Sequence, residues 1–320
     1  MKCGASREGE KRLKNYKQIW QATIIATGKV KPCQLLPSRR VRMYYYIVMA
    51  FTRILDRFST MVYDSPLLFR LLQKYWYAWV SRIDKKGEVR FLNYGYSSLS
   101  DPHIELRPQD EADRYSLQLY EHVANPAGLK NKDVLEVGCG HGGGAAYIAS
   151  YLKPKNIVAS DINKTAIKFN AKYYKDIPNL RFVVADAHKL PFPDESFDAV
   201  INIESSHHYE DFTRFMREVR RILRPGGYLL MACYRKKEKM LNVEEDVRVS
   251  GMTIETAEDI VENVVRALDA DSKRRLALVQ KLAPNISRSV AVDFAGVKGS
   301  ALYDSFANRD KSYMNYIIRK

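Results

Sequence analysis

The chain has 320 residues, 46% of them hydrophobic, enough for one substantial core, and this excludes wholesale disorder. Its formal charge of +15 is uneven: residues 1–100 hold 19 Lys and Arg against 6 Asp and Glu, and the rest is close to neutral. Such a basic front end attracts polyanions in general and does not separate nucleic acid from anionic lipid. The four cysteines, Cys3, Cys33, Cys139 and Cys233, form neither a CxxC pair nor a zinc spacing. Reduced thiols in a cytosol-facing protein, with no metal site, are the expectation.

Residues 1–66 read as a basic extension without the small-residue cleavage pattern of a secretory signal. Met43 to Phe51 is uncharged but only about half of what a bilayer crossing needs. Phe51, Ile54, Leu55, Phe58, Met61 and Val62 then recur at helical spacing, an amphipathic pattern, and Leu67 to Val80 predicts another helix. The aromatics at 75, 76, 77 and 79 beside Arg and Lys leave three roles open, of which a true transmembrane span is the least favoured. The helices cap the core, or residues 1–80 make peripheral contact with an anionic membrane from the cytosolic side. The expected organisation is this extension, a helical cap region over 67–126, and a main domain over 127–320.

Within the cap, Asp110 to Ala124 predicts a helix with Tyr115, Leu119 and His122 near one face, and Asn125-Pro-Ala-Gly128 ends it. Short apolar runs then alternate with helical stretches. Strands are expected at 134–137, 156–160, 180–185, 197–203 and 228–233, and helices at 143–152, 164–174 and 211–223. Strands without strict alternation in a βαβ rhythm predict an α/β fold, with a mostly parallel sheet covered on both faces. Beyond Arg235 the rhythm fades. Helices are expected at about 256–268 and 272–282, a strand-like piece at 289–294 and a strand at 312–319, with substrate-covering helices somewhere in 240–300.

The strongest signal is Val134-Leu-Glu-Val-Gly-Cys-Gly-His-Gly-Gly-Gly144, a strand running into a glycine cluster before a helix. Glycines there permit a tight turn and close approach of backbone to a ligand. Dinucleotide sites share that pattern, but Glu136 inside the strand offers a carboxylate to a cationic amino group. Asp161, at the end of the next strand, is positioned for a ribose diol.

These residues resemble the first motif of class I S-adenosylmethionine-dependent methyltransferases, and Ala159-Ser-Asp-Ile162 resembles the second. Val184-Ala-Asp-Ala187, Phe197-Asp-Ala-Val200 and Leu223-Arg-Pro-Gly-Gly227 match later core motifs in register. The closer resemblance, over roughly residues 68–320, is to the phthiotriol/phenolphthiotriol dimycocerosates methyltransferase group, with sterol C-24 methyltransferases more distant. It rests on Phe91-Leu-Asn-Tyr-Gly-Tyr96, the run at 139–144, Ile203-Glu-Ser-Ser-His-His-Tyr209 and Asp293-Phe-Ala-Gly-Val-Lys-Gly299. The chain departs from the sterol type, whose Tyr-Glu-Tyr-Gly-Trp-Gly segment has an acidic residue between its tyrosines.

The resemblance implies a Rossmann-like seven-stranded sheet with helices on both faces, N-terminal helices and a C-terminal lid. It implies S-adenosyl-L-methionine as cofactor, held by Tyr96, Glu136, Gly138, Cys139 and Gly140 on one side. Asp161, Ile162, Asp186, Ala187 and Glu204 complete the set, with Asp186 and Ala187 flanking the adenine. The expected reaction is methylation of a hydroxyl on a hydrophobic lipid-, polyketide- or terpenoid-like acceptor. Carbon methylation of a sterol or isoprenoid alkene and a non-catalytic membrane-associated role are the alternatives, and a nucleic acid acceptor is not expected. Glu204, His207 and His208 follow the fourth strand, where ligand-contacting residues of such sheets lie. A neutral histidine there takes a hydroxyl proton. His207 is the first choice of base, because it matches the family's histidine, and His208 is the second. Tyr303 and Phe306 are expected to face the acceptor.

Overall fold

The computed structural model describes residues 87–99, 104–284 and 287–320. The basic extension, the helices expected before residue 81 and the membrane contact through residues 1–80 therefore lie outside the described residues.

The apolar runs become strands: β1 Asp133–Val137, β2 Asn156–Asp161, β3 Leu180–Val184, β4 Phe197–Ile203 and β5 Leu223–Lys236. Two more follow, β6 Thr253–Asp259 and β7 Lys311–Arg319. They form one seven-stranded sheet in the order β3-β2-β1-β4-β5-β7-β6. β1 to β5 pair in parallel, whereas β7 lies antiparallel between β5 and β6. Chain order reverses between β1 and β4, so their carboxyl ends open a crevice.

Side chains alternate across β1. Val134 joins one core, with Leu119 and Val123 of α1 (Arg114–Ala124) and Ile148 in the turn that continues α2 (Gly143–Tyr147). Leu135 and Val137 join the other. There α4 (Phe212–Ile222) buries Phe215, Met216, Val219 and Ile222 along one stripe, each contributing about 2 kcal/mol. Between α2 and α4 lies α3 (Lys164–Tyr173), started by Asn163, whose side chain accepts from the Thr165 and Ala166 N–H groups.

After β5 come α5 (Met240–Val249), α6 (Val261–Leu282), α7 (Arg288–Phe294) and α8 (Ala301–Ala307). α5 packs beside α4 through Met240, Val243 and Val247, on the face opposite Val264 and Leu268 of α6 and Phe306 of α8. The helices of 240–300 are thus divided between the two faces, and only those from Val261 onward share a core with the cap.

Three sequence expectations are corrected. Residues 253–259 are a strand where a helix was expected from 256. It is an edge strand paired only with β7, so its outer residues are solvated and show no apolar period. The two helices expected at 256–268 and 272–282 are one helix, because Asp271 is tied to Arg274 at 2.6 Å and Arg275 at 3.0 Å on its own surface. Residues 289–294 are helical as well, and the β-branched Val290 and Val292 misled.

Residues 87–99 form neither helix nor strand. Charged side chains hold them: Arg90 meets Asp110 at 3.0 Å and Asp113 at 2.6 Å, and Arg274 meets Asp113 at 3.1 Å. Buried Arg275 donates to Asn93 O at 3.0 Å and Ala295 O at 3.1 Å. The helix expected from Asp110 begins as a 3-10 turn, Pro108–Asp113, before α1.

Candidate active site

Gly138 begins the turn after β1 with φ +80°. A Cβ there would overlap Ser205 just after β4, so the backbone of the turn and the end of β4 touch only because residue 138 has no side chain. The Gly138 and Cys139 N–H groups donate to Ser160 O at 2.8 and 3.0 Å, and Gly140 N–H donates to Asp161 Oδ2 at 2.9 Å. Glu136, Gly138, Gly140 and Asp161 therefore share one crevice. The Cys139 thiol is buried beside it, which pushes its pKa up.

Glu136 is fully enclosed. Tyr120 of α1 donates its hydroxyl to Oε1 at 2.7 Å, while Oε2 is buried with no hydrogen-bond partner. Burial pushes the Glu136 carboxyl up to about 7, against the pull of the Tyr120 hydroxyl. An orphaned carboxylate oxygen costs free energy unless a ligand cation meets it. Asp161 accepts from Asn163 N–H at 2.8 Å, and burial raises its pKa too. Ile162, next to it, is 67% exposed, an apolar side chain bare at the lip of the crevice. Asp186 lies further out, accepting from the His188 N–H and ring at 2.9 Å, contacts that hold its carboxyl below the usual range; Ala187 is buried behind it.

On the β4 side Glu204 takes φ +50°, a conformation that costs a non-glycine residue about 1 kcal/mol or more. Its Oε1 accepts from Tyr94 N–H at 2.7 Å and Tyr313 O–H at 2.6 Å, and burial lifts its pKa to about 7. Tyr94, Tyr234, Phe306 and Tyr313 pack with ring centroids 5.4–6.0 Å apart. The His207 ring lies 4.1 Å from that of Tyr234 and 3.9 Å from that of His208. Both His207 nitrogens are buried without a hydrogen-bond partner. Burial, then His208, Arg235 and Lys311, drives its pKa well below the ordinary value, so the ring is neutral.

Tyr96 stacks on His122 of α1 at 4.1 Å, and the Tyr94 backbone meets Glu204. Of the expected acceptor-facing pair, Phe306 joins the aromatic cluster, while Tyr303 turns its hydroxyl to Asp269 at 2.8 Å. Sequence reasoning missed Tyr120, Tyr234, Tyr313 and Lys311, none of which stands in a motif. Leu92 and Phe91 back onto Gly140 and Gly143, and on their far side is a cavity of about 130 Å³ lined by Leu278, Val279 and Phe294 among others.

A family described as a methyltransferase domain matches residues 135–231, the stretch that holds the turn, Asp161 and Glu204. With the sheet order and the enclosed Glu136, this makes the protein a class I S-adenosylmethionine-dependent methyltransferase. The phthiotriol/phenolphthiotriol dimycocerosates methyltransferase of Mycobacterium leprae is 35% identical over 272 residues, 85% of this chain and 100% of that protein. The chain belongs to that methyltransferase family. It is also 40% identical over 248 residues to the fatty-acid O-methyltransferase of Mycolicibacterium smegmatis, covering 78% of this chain and 89% of that one. The solved structure of the cyclase SpnF matches with a TM-score of 0.62 at 22% identity, over 77% of this chain and 94% of the other, a likeness of fold alone.

Proposed function

We propose that this enzyme methylates an oxygen of a lipid-like acceptor held between the glycine turn and the aromatic cluster. The bound cofactor supplies an electrophilic methyl group on a sulfonium. Glu136 Oε2 receives the amino group, Asp161 the ribose hydroxyls, and Ile162 and Ala187 flank the base. These roles fit a carboxylate that has no partner, an acid at a strand end and an apolar side chain left bare. Glu204, fixed by Tyr94 and Tyr313, holds the wall of the site in place.

The observation that carries the reading is His207: two buried ring nitrogens without partners, against Tyr234, three residues after the strained Glu204. For a hydroxyl acceptor the neutral ring is the base, and alignment and desolvation supply the rest of the catalysis. The cavity behind Phe91 and Leu92 carries Leu278, Val279 and Phe294 on its wall, groups that suit part of an alkyl chain, beside the charged Arg90, Asp113 and Arg274. The names of the two relatives, one acting on dimycocerosates and one on fatty acids, agree with such an acceptor.

The test is incubation with methyl-labelled cofactor and a cell extract separated into lipid, protein and RNA fractions. Label is expected in lipid. Label confined to protein or RNA would overturn the assignment.

A further inference from the structure

Lys311 opens β7 two residues before Tyr313, so both side chains leave the strand on the same face. Its Nζ stands 5.4 Å from the Tyr234 ring centre and 5.9 Å from that of Phe306. Tyr234 is also the ring against which His207 packs. The ammonium is half-buried, yet it makes no ion pair or hydrogen bond among the described residues. Lys236 faces it across the strand pair, Arg235 turns to Phe212 on the other face of β5, and Asp293 is the negative group whose field reaches it. Glu204, the other carboxylate of this wall, already accepts from Tyr94 and Tyr313.

An unpaired, partly desolvated cation over two aromatic rings gains only a modest cation–π attraction. Its desolvation is offset more fully when an anion arrives. Burial already pushes the Lys311 pKa down, the response of a cation that lacks a counter-charge.

We propose that Lys311 and His207 form the head-group site for an acceptor that arrives already ionised, the carboxylate of an apolar acid. The inference rests on the reading that the acceptor oxygen lies beside this aromatic cluster, and it narrows the acceptor class. A carboxylate oxygen forms the new O–CH₃ bond as the S–CH₃ bond breaks with its electron pair left on sulfur. The anion becomes a neutral ester, the sulfonium a neutral thioether, and no proton has to leave. His207 then serves as an N–H donor to the second carboxylate oxygen. One ammonium over Tyr234 and Phe306 suits a monoanion better than a phosphate dianion.

The test compares the wild-type enzyme with Lys311→Met, which keeps the apolar stem, and Lys311→Arg, which keeps the charge. Sodium dodecanoate, 1-dodecanol and dodecyl phosphate serve as probes, below their micellar concentrations. The wild type is expected to methylate dodecanoate in preference to dodecanol. Lys311→Met should raise the KM for dodecanoate about tenfold, with a smaller change in kcat. Its calorimetric Kd for dodecanoate should weaken in parallel, Lys311→Arg should recover most of the loss, and S-adenosylhomocysteine affinity should not move.

A KM and Kd for dodecanoate within twofold of wild type in Lys311→Met would overturn the proposal. So would tighter binding of dodecyl phosphate than of dodecanoate, or a wild-type preference for the alcohol. Should the wild type label no lipid at all, the proposed function fails by itself. The dodecanoate Kd of Lys311→Met then still decides whether the anion site exists.

Discussion

The two sides of the crevice are built differently. The cofactor side, residues 133–187, takes its shape from hydrogen bonds between neighbouring parallel strands and their first turns. The acceptor side gathers Tyr94, His207, Tyr234, Phe306 and Lys311 from four separate stretches of chain. It is clamped partly by buried ions such as Arg275 with Asp271. Cofactor recognition is therefore local and backbone-driven, whereas acceptor recognition depends on how distant segments dock. Buried ions of this kind fix geometry at some cost in desolvation, so the acceptor side gains definition more than stability from them.

The comparison breaks first at Gly138. Gly138→Ala combines φ +80° with overlap on Ser205, and S-adenosylhomocysteine affinity should fall about 100-fold by titration calorimetry, with far-UV circular dichroism retained. Normal affinity would mean that the contact of turn and β4 is dispensable.

A second test uses one carboxyl from each side, Glu136 and Glu204, both lifted to about 7 by burial. In the unfolded chain they titrate near 4.5, so between that value and 7 the native state keeps a proton that the unfolded state has lost. Stability must then fall as pH rises through this window, by up to on the order of 3 kcal/mol for each group. Thermal melts of the free enzyme should show a lower Tm at pH 8 than at pH 5.5. Glu204→Gln should flatten part of that slope, and saturating S-adenosylhomocysteine should remove the Glu136 part by pairing its charge. A slope that the ligand leaves untouched would deny Glu136 its amino-group contact.

The smallest effect is expected at Ile162. Ile162→Ala should weaken cofactor affinity about threefold and change stability by no more than about 0.5 kcal/mol, because the side chain is largely solvated until a base covers it. A large loss of stability would assign it to the core instead.

The same contrast governs how much could be read from the sequence. Glu136, Gly138, Gly140 and Asp161 lie within 26 residues, and the strand-turn-helix pattern announces them. β1, β2, β4 and the second half of β5 were legible because both faces of each are buried among helices, and β3, a half-exposed edge strand, showed through its apolar run. The acceptor side hid its logic. Tyr94 there acts through a backbone N–H that every residue possesses, and on the cofactor side Tyr120 was as well hidden, meeting Glu136 from a helix with no motif. The sequence also gives no sign that the Tyr96 ring stacks on His122, 26 residues further along the chain. β6 is charged and solvated, so only its pairing with β7 reveals it as a strand. Lys311 reads as an ordinary surface lysine until the fold lays it over Tyr234.

The insertion of β7 between β5 and β6 has a bearing on biosynthesis. Three helices separate β6 from β7 in the chain, so on a ribosome the long edge of β5 stays open until residues 311–319 emerge. Throughout that interval β5 offers a row of unsatisfied backbone groups beside Leu229, Met231 and Cys233, the kind of template on which nascent chains stick to one another. A frameshift or stop codon anywhere between β6 and β7 would thus yield an aggregating protein before it yielded an inactive one.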